Sequence, residues 1–292
     1  MIPPPAEVRR IVYLGTPNVA VPPLRALHAA GFEIPLVISR ADKRRGRGGG
    51  LSPSPVKAAA LELGLPVTTD VDAALEVGAD LGVVVAFGRI IKPHVLDRLA
   101  MVNIHFSLLP RWRGAAPVER ALLAGDDETG VCLMALAQEL DTGDVYRVQE
   151  LPIRDHHTLE TLRGELVEIG TELLVSALSE GLGEPTPQTG EVTHAAKIDP
   201  AELQIDWTDS ATQVDRVVRL GNAWTTHGGK RLKIWQARVV PGAGRPGAVD
   251  GLVVSCGDGA LELVEVQPEG KPRRRATDWA NGVGRGDVVL GS

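Results

Sequence analysis

The sequence predicts an α/β fold with a parallel sheet, followed by a small β-barrel, and three observations carry that prediction. Apolar strands alternate with helical segments from Arg10 to Leu182, the pattern of β-α-β units. The alternation stops at Gly183–Thr193, whose Gly, Pro and Thr content is that of a linker. Beyond it, short strands separated by Gly and Pro turns dominate.

The elements follow in order. Arg10–Leu14 reads as a buried strand, and Gly15-Thr16-Pro17 turns it into a helix over Val21–Ala30 that Gly31 closes. Ile34–Ser39 is a second strand. Arg40–Pro55 is a basic, glycine-rich loop longer than most connections. A helix over Val56–Leu63 and a short strand over Leu65–Thr68 come next. Leu81–Ala86 has the unbroken apolar run of a central strand, and Met101–His105 is its polar-tipped neighbour. Ala115–Ala124 reads as a helix with Pro117 in its first turn. Thr129–Ala135 and Val145–Leu151 are strands, and the leucine spacing of Thr158–Leu182 marks a long amphipathic helix. In the second part, a helix over Ala211–Leu220 precedes strands over Leu232–Val240, Ala248–Cys256 and Ala260–Val266.

The bulk numbers set bounds. A chain of 292 residues, 43% hydrophobic and 23% charged, suits two folded domains. A net charge of −6 argues against non-specific coating of nucleic acid, so any such contact must come from local patches. Cys132 and Cys256 lie in separate apolar runs and read as buried, reduced side chains. Neither belongs to a metal-ligand cluster, and no metal is expected. The N-terminus has no secretory pattern and no apolar run spans a bilayer, so the expectation is a soluble, cytoplasmic protein.

Chemistry concentrates between Val102 and Pro117. Asn103 and His105 are two apart on one strand, so an amide and an imidazole share a face at its carboxyl end. Ligands of open α/β sheets bind there. Both groups donate hydrogen bonds and suit a developing oxyanion. Asp141, in Leu140-Asp141-Thr142-Gly143-Asp144, is by itself ordinary turn chemistry. No G-x-G-x-x-G follows the first strand and no Walker A motif occurs, which excludes a nucleotide cofactor bound that way. Arg40, Lys43, Arg44, Arg45 and Arg47 make the long loop a candidate clamp on a phosphate backbone. Lys271 and Arg273 belong to a second basic cluster.

These motifs resemble those of the methionyl-tRNA formyltransferases over essentially the whole chain. The resemblance rests on Gly15-Thr16-Pro17, on Leu51-Ser52-Pro53-Ser54-Pro55-Val56-Lys57, on Asn103-Ile104-His105 running into Ser107-Leu108-Leu109-Pro110-Arg111-Trp112-Arg113-Gly114-Ala115-Ala116-Pro117, and on Leu140-Asp141-Thr142-Gly143-Asp144. It implies a Rossmann-like formyltransferase domain over residues 1–190, a linker over 191–203 and an OB-like tRNA-binding domain over 204–292. It implies 10-formyltetrahydrofolate as co-substrate, initiator methionyl-tRNA as acceptor, no metal and a monomer. Asn103, His105 and Asp141 take the positions of the family's catalytic residues. Ser107, Leu108, Leu109 and Pro110 fall on its folate-binding segment, and the Arg40–Gly50 loop on the one that approaches the tRNA acceptor stem. Phe106 departs from the family's usual Gly, and Asn222-Ala223-Trp224-Thr225 departs in the second domain. A sugar-nucleotide N-formyltransferase is the rival reading, since it shares the Asn-x-His block, but it has no need of the arginine-rich loop.

Overall fold

A computed structural model describes residues 2–44, 50–282 and 288–291. It divides into two compact units, one of Met1–Pro117, Glu128–Pro152 and Arg163–Ala196, the other of Val118–Asp127, Ile153–Leu162 and Lys197–Ser292. Among the described residues, no helix is long and apolar enough to cross a membrane.

The first stretch of chain runs β1 (Arg10–Gly15), α1 (Val21–Ala29), β2 (Glu33–Ile38), β3 (Lys43–Arg44), β4 (Leu51–Ser52), α2 (Pro55–Glu62), β5 (Val67–Thr68), β6 (Leu81–Val85), α3 (Pro93–Leu96), β7 (Met101–His105), β8 (Arg113–Gly114), α4 (Pro117–Ala124), β9 (Glu128–Ala135), β10 (Val145–Pro152), α5 (Leu159–Glu180) and β11 (His194–Ala195). Seven strands form the main sheet of the first unit, in the order β10-β9-β7-β6-β1-β2-β5. The pairs from β5 across to β7 are parallel. Ile11, Val12, Tyr13 and Leu14 are all fully buried, so β1 is covered on both faces, as parallel sheets require. Gly15 ends β1 where a Cβ would fall 2.9 Å from that of Ala20.

The expected parallel sheet is correct only in part. β9 runs antiparallel to β7, and β10 runs antiparallel to β9. The few residues between Ala135 and Val145 suffice for a hairpin, whereas a parallel neighbour needs a crossover of about a dozen or more. The stretch after α5, of linker composition, is bonded to the first unit. Thr186 and Val145 exchange backbone hydrogen bonds of 2.9 and 2.8 Å, and β11 pairs with β8.

The second unit carries α6 (Ala211–Arg219), β12 (Trp224–His227), β13 (Lys230–Val240), β14 (Val249–Asp250), β15 (Val253–Ser255), β16 (Ala260–Pro268), β17 (Arg274–Arg275) and α7 (Ala276–Ala280). Its strands are antiparallel, in the order β12-β13-β16-β15-β14 with β17 beside β16. Ser210 caps α6 by accepting from the Gln213 amide, and Val214, Val217 and Val218 turn to a core of Trp207, Ile234, Leu261 and Trp279. The strand expected over Ala248–Cys256 is broken into a hairpin at Gly251, whose φ of +61° suits glycine.

One carboxylate sets how β1 meets β6. Asp80 Oδ2 accepts from the backbone amides of Arg9 (2.9 Å) and Arg10 (2.8 Å), immediately before Ile11 pairs with Leu81. These two bonds, from Arg10 first and then Arg9, hold the Asp80 carboxyl below its ordinary value of 3.8. A lowered folded-state pKa contributes stability above the ordinary value that is lost as pH falls below it. Asp80→Asn is expected to cost about 1–2 kcal/mol near neutral pH. Thermal melts from about pH 7 down to about pH 3 should show the variant losing less stability on acidification than the parent. Parallel melting curves for the two proteins would contradict this role.

Candidate active site

β7 ends in the polar pair. Asn103 is 8% and His105 5% exposed. Each stands beside an antiparallel partner on β9, Asn103 opposite Met134 and His105 opposite Cys132. Phe106 takes the other face, where Gly170 of α5 leaves room for it and for Ile104. The family departure at Phe106 therefore falls on packing against α5, away from the imidazole.

Beyond β7 the chain folds back over the polar face. Ser107 Oγ donates to the Arg111 carbonyl at 2.6 Å, and the Arg111 amide donates to the Leu108 carbonyl at 3.0 Å. The Leu109–Pro110 peptide is cis. Leu109 packs on Cys132, Met134 and Val145, roofing the strands beside the pair. Burial pushes the Cys132 thiol up to about 11, so it is a packing residue with no thiolate at neutral pH.

His105 is gripped from both sides. Its Nε2 lies 2.9 Å from the Trp112 carbonyl oxygen and its Nδ1 lies 3.6 Å from Asp141 Oδ2. Both neighbours are acceptors. Asp141 is 8% exposed, and its Oδ2 also accepts from the Gly114 amide at 2.8 Å. Trp112 and Asp141 both have left-handed backbones, with φ of +62° and +54°. Such conformations in non-glycine residues persist only when surroundings enforce them. The Asn103 amide differs, since among the described residues its side chain makes no hydrogen bond. The site thus offers one uncommitted buried amide beside an imidazole that is already held.

Sequence proximity alone does not reveal what holds Asp141. Gln188 Nε2 donates to the carbonyls of Asp141 (2.9 Å) and Gly143 (2.8 Å), and the Arg113 guanidinium donates to Gln188 Oε1 at 3.0 and 2.6 Å. Thr193 Oγ1 accepts from the Trp112 amide at 2.8 Å. Gln188 and Thr193 lie in the stretch of linker composition, and only their bonding partners show what they do.

The basic loop is fastened at its base. Ser39 and Ser54 share a hydrogen bond of 2.5 Å, Ser54 caps α2 at the Lys57 amide, and Lys57 Nζ pairs with Asp42 at 2.9 Å. The Ser-Pro-Ser-Pro-Val-Lys segment thereby ties the loop to α2. Arg40 is half-buried near Gly88, and Lys43 and Arg44 are exposed on β3. Arg45 and Arg47 lie outside the described residues.

In the second unit, Lys271 and Arg273 are exposed, and the Arg273 guanidinium stacks 3.2 Å from the Trp235 ring centre. Lys233 approaches the same ring at 5.3 Å, and Arg231 lies 4.0 Å over Trp224. Trp224, Arg231, Lys233 and Trp235 are absent from the sequence-based set. The i, i+2, i+4 spacing of Arg231, Lys233 and Trp235 along β13 is the signal that finds them. Among the described residues no three His, Cys, Asp or Glu side chains gather as metal ligands do.

Comparison with known proteins accords with this architecture. The chain matches the formyl transferase model over residues 9–178 and the formyl transferase C-terminal domain model over residues 197–284. It is 47% identical to the methionyl-tRNA formyltransferase of Jannaschia sp. (strain CCS1), covering 94% of this chain and 96% of that one. It is 44% identical to the protein of the same name from Ruegeria pomeroyi, covering 94% and 97%. Among solved structures, HypX from Aquifex aeolicus in complex with tetrahydrofolic acid shares the fold, with a TM-score of 0.66 at 19% identity over 97% of this chain. This chain spans only half of the length of HypX. With both domain models matched in order and relatives similar from end to end, the chain belongs to the formyl transferase family, among the methionyl-tRNA formyltransferases.

Proposed function

We propose that the protein transfers the formyl group of 10-formyltetrahydrofolate to the α-amino group of methionyl initiator tRNA in the cytoplasm, acting as a monomer. The observation that carries the chemistry is the buried convergence of Asn103, His105 and Asp141 at the carboxyl end of β7. The names of the end-to-end relatives carry the acceptor and disfavour the sugar-nucleotide alternative.

The folate supplies an activated formyl group on its N10. The methionyl amine forms a bond to the formyl carbon, the carbon–N10 bond breaks, and the amine proton is passed on so that N10 leaves as a neutral amine. Negative charge develops on the formyl oxygen in between. Asn103 donates to that oxygen without breaking an existing protein bond, the preorganisation such a site needs. His105 donates after exchanging its Trp112 contact for the substrate, and Asp141 orients it and accepts the amine proton through a water. Ser107, Leu108, Leu109 and Pro110 form the folate-facing segment, with the Leu109 packing as its floor.

Residues 1–190 serve as the catalytic domain and 191–203 as the linker. Residues 204–292, read as an OB-like barrel, serve as a tRNA-binding domain. The antiparallel sheet of the second unit and its basic-aromatic face support that reading. Arg40, Lys43, Arg44, Arg45 and Arg47 contact the acceptor stem, and Lys271 and Arg273 contact phosphates elsewhere on the tRNA.

Single-turnover assays with 10-formyltetrahydrofolate should show formylation of methionyl initiator tRNA, and little of methionyl elongator tRNA or of an amino-sugar nucleotide. Preferential transfer to the sugar would overturn the acceptor. His105→Ala is expected to slow transfer by about 100- to 1,000-fold while leaving the tRNA dissociation constant within about 2-fold, and undiminished turnover would displace His105 from the site. Lys43→Ala with Arg44→Ala should weaken tRNA binding and lower the slope of log affinity against log salt by roughly one to two. An unchanged slope would make the loop ordinary surface.

A further inference from the structure

Asp141 is secured at two points, and both lead back to β8. Its carboxylate accepts from the Gly114 amide at 2.8 Å. Its backbone is secured through Gln188, whose amide is fully employed. Oε1 receives two N–H groups from Arg113, and the two N–H groups of Nε2 go to the carbonyls of Asp141 and Gly143. The backbone of Gly114 therefore aims the carboxylate, and the side chain of Arg113, its neighbour in the chain, aims the turn that carries it.

The turn needs this hold. Asp141 has φ of +54°, in the left-handed region that L-residues seldom adopt, and the turn's own side-chain bond, from Thr142 Oγ1 to the Glu139 carbonyl, does not involve it. β8 is in turn fixed by the strap that carries Gln188. Thr193 holds the Trp112 amide through its hydroxyl and the Arg113 amide through its carbonyl, and the Ala195 carbonyl receives the amides of Ala115 and Ala116.

We propose that Gln188, oriented by Arg113, is a positioning residue for transfer. It sets the Asp141 turn so that the carboxylate faces His105. This rests on the reading of Asp141 as the carboxylate partner of His105. Gln188 acts in this proposal through the turn of Asp141 and Gly143 that it bonds. Its essential property is donation by Nε2. A glutamate at 188 keeps and strengthens the Arg113 contact but cannot donate to two carbonyls, and so fails as a leucine does.

The test uses the full-length protein in steady-state formylation of methionyl initiator tRNA, with thermal melts alongside. Gln188→Glu and Gln188→Leu should each lower kcat by about 100-fold, the scale of a misplacement of about 1 Å. KM for both substrates should stay within about 2-fold, a split that general loosening would not produce. In an Asp141→Asn background, adding Gln188→Leu should change kcat by less than about 2-fold, since the group being positioned has already been disabled. Losses that multiply in the double variant, or a Gln188→Glu protein with parental kcat, would overturn the inference while leaving Asp141 in place. Parental kcat for Asp141→Asn alone would overturn the underlying reading of the carboxylate, and the inference with it. Should Gln188→Leu melt well below the parent, Arg113→Lys loosens the same clamp from its other end and allows the same double-variant comparison, with the same outcomes deciding.

Discussion

The site depends on the geometry of one turn. Asp141 has to present a carboxylate to the end of β7 from a connection between two antiparallel strands, and it does so with its backbone in the left-handed region. The bonds that fasten that residue and its turn include the Gly114 amide to the carboxylate and Gln188 to the carbonyls of Asp141 and Gly143. Two glycines make the approach possible. A Cβ at Gly143 would collide with the Ala135 carbonyl, and one at Gly114 would fall 2.7 Å from the Ala195 carbonyl. Wherever the backbone comes this close, the residue type is dictated by space before any chemistry is considered.

The sheet supplies the other half of the site. β7 is covered on both faces and flanked by β6 and β9, so the Asn103 and His105 backbones sit in a rigid ladder. Asn103 can then remain buried without a side-chain partner. The reversal of β9 and β10 belongs to the same design. β9 ends beside the amino end of β7, where Ala135 faces Val102, and the connection to β10 returns from there to set Asp141 3.6 Å from His105.

What could be read from the sequence follows from how local each signal is. The strands and helices of the first unit, and the pairing of Asn103 with His105, depend on periods of two and 3.6 residues and were legible directly. Asp141 was legible only as part of a motif, because Asp-x-Gly alone is common turn chemistry. The direction of β9 and β10 needed the length of their connection to be weighed against the parallel pattern before them. Gln188 and Thr193 were not legible, since Pro, Thr and Gly around them spell linker. Their roles arise from partners such as Asp141 and Trp112, 47 and 81 positions away in the chain. Trp235 fell between these cases. The alternation along β13 marks its face, but the stacking of Arg273 on it comes from a residue beyond β16.

The same distinction between local and summed properties governs the charge. A net charge of −6 repels a polyanion at long range, so the proposed attachment to tRNA has to fall to local basic groups. An arginine laid against an indole is such a group. Stacking restricts the guanidinium before any phosphate arrives, so less side-chain entropy remains to be lost on binding. Arg273 on Trp235 and Arg231 on Trp224 have this form, whereas Lys43 and Arg44 stand exposed on a short strand. The two basic regions should therefore differ in kind. Pre-set arginines favour a defined register on the nucleic acid, while exposed side chains on a loop tied down at Lys57 and Ser54 can adjust to what they meet.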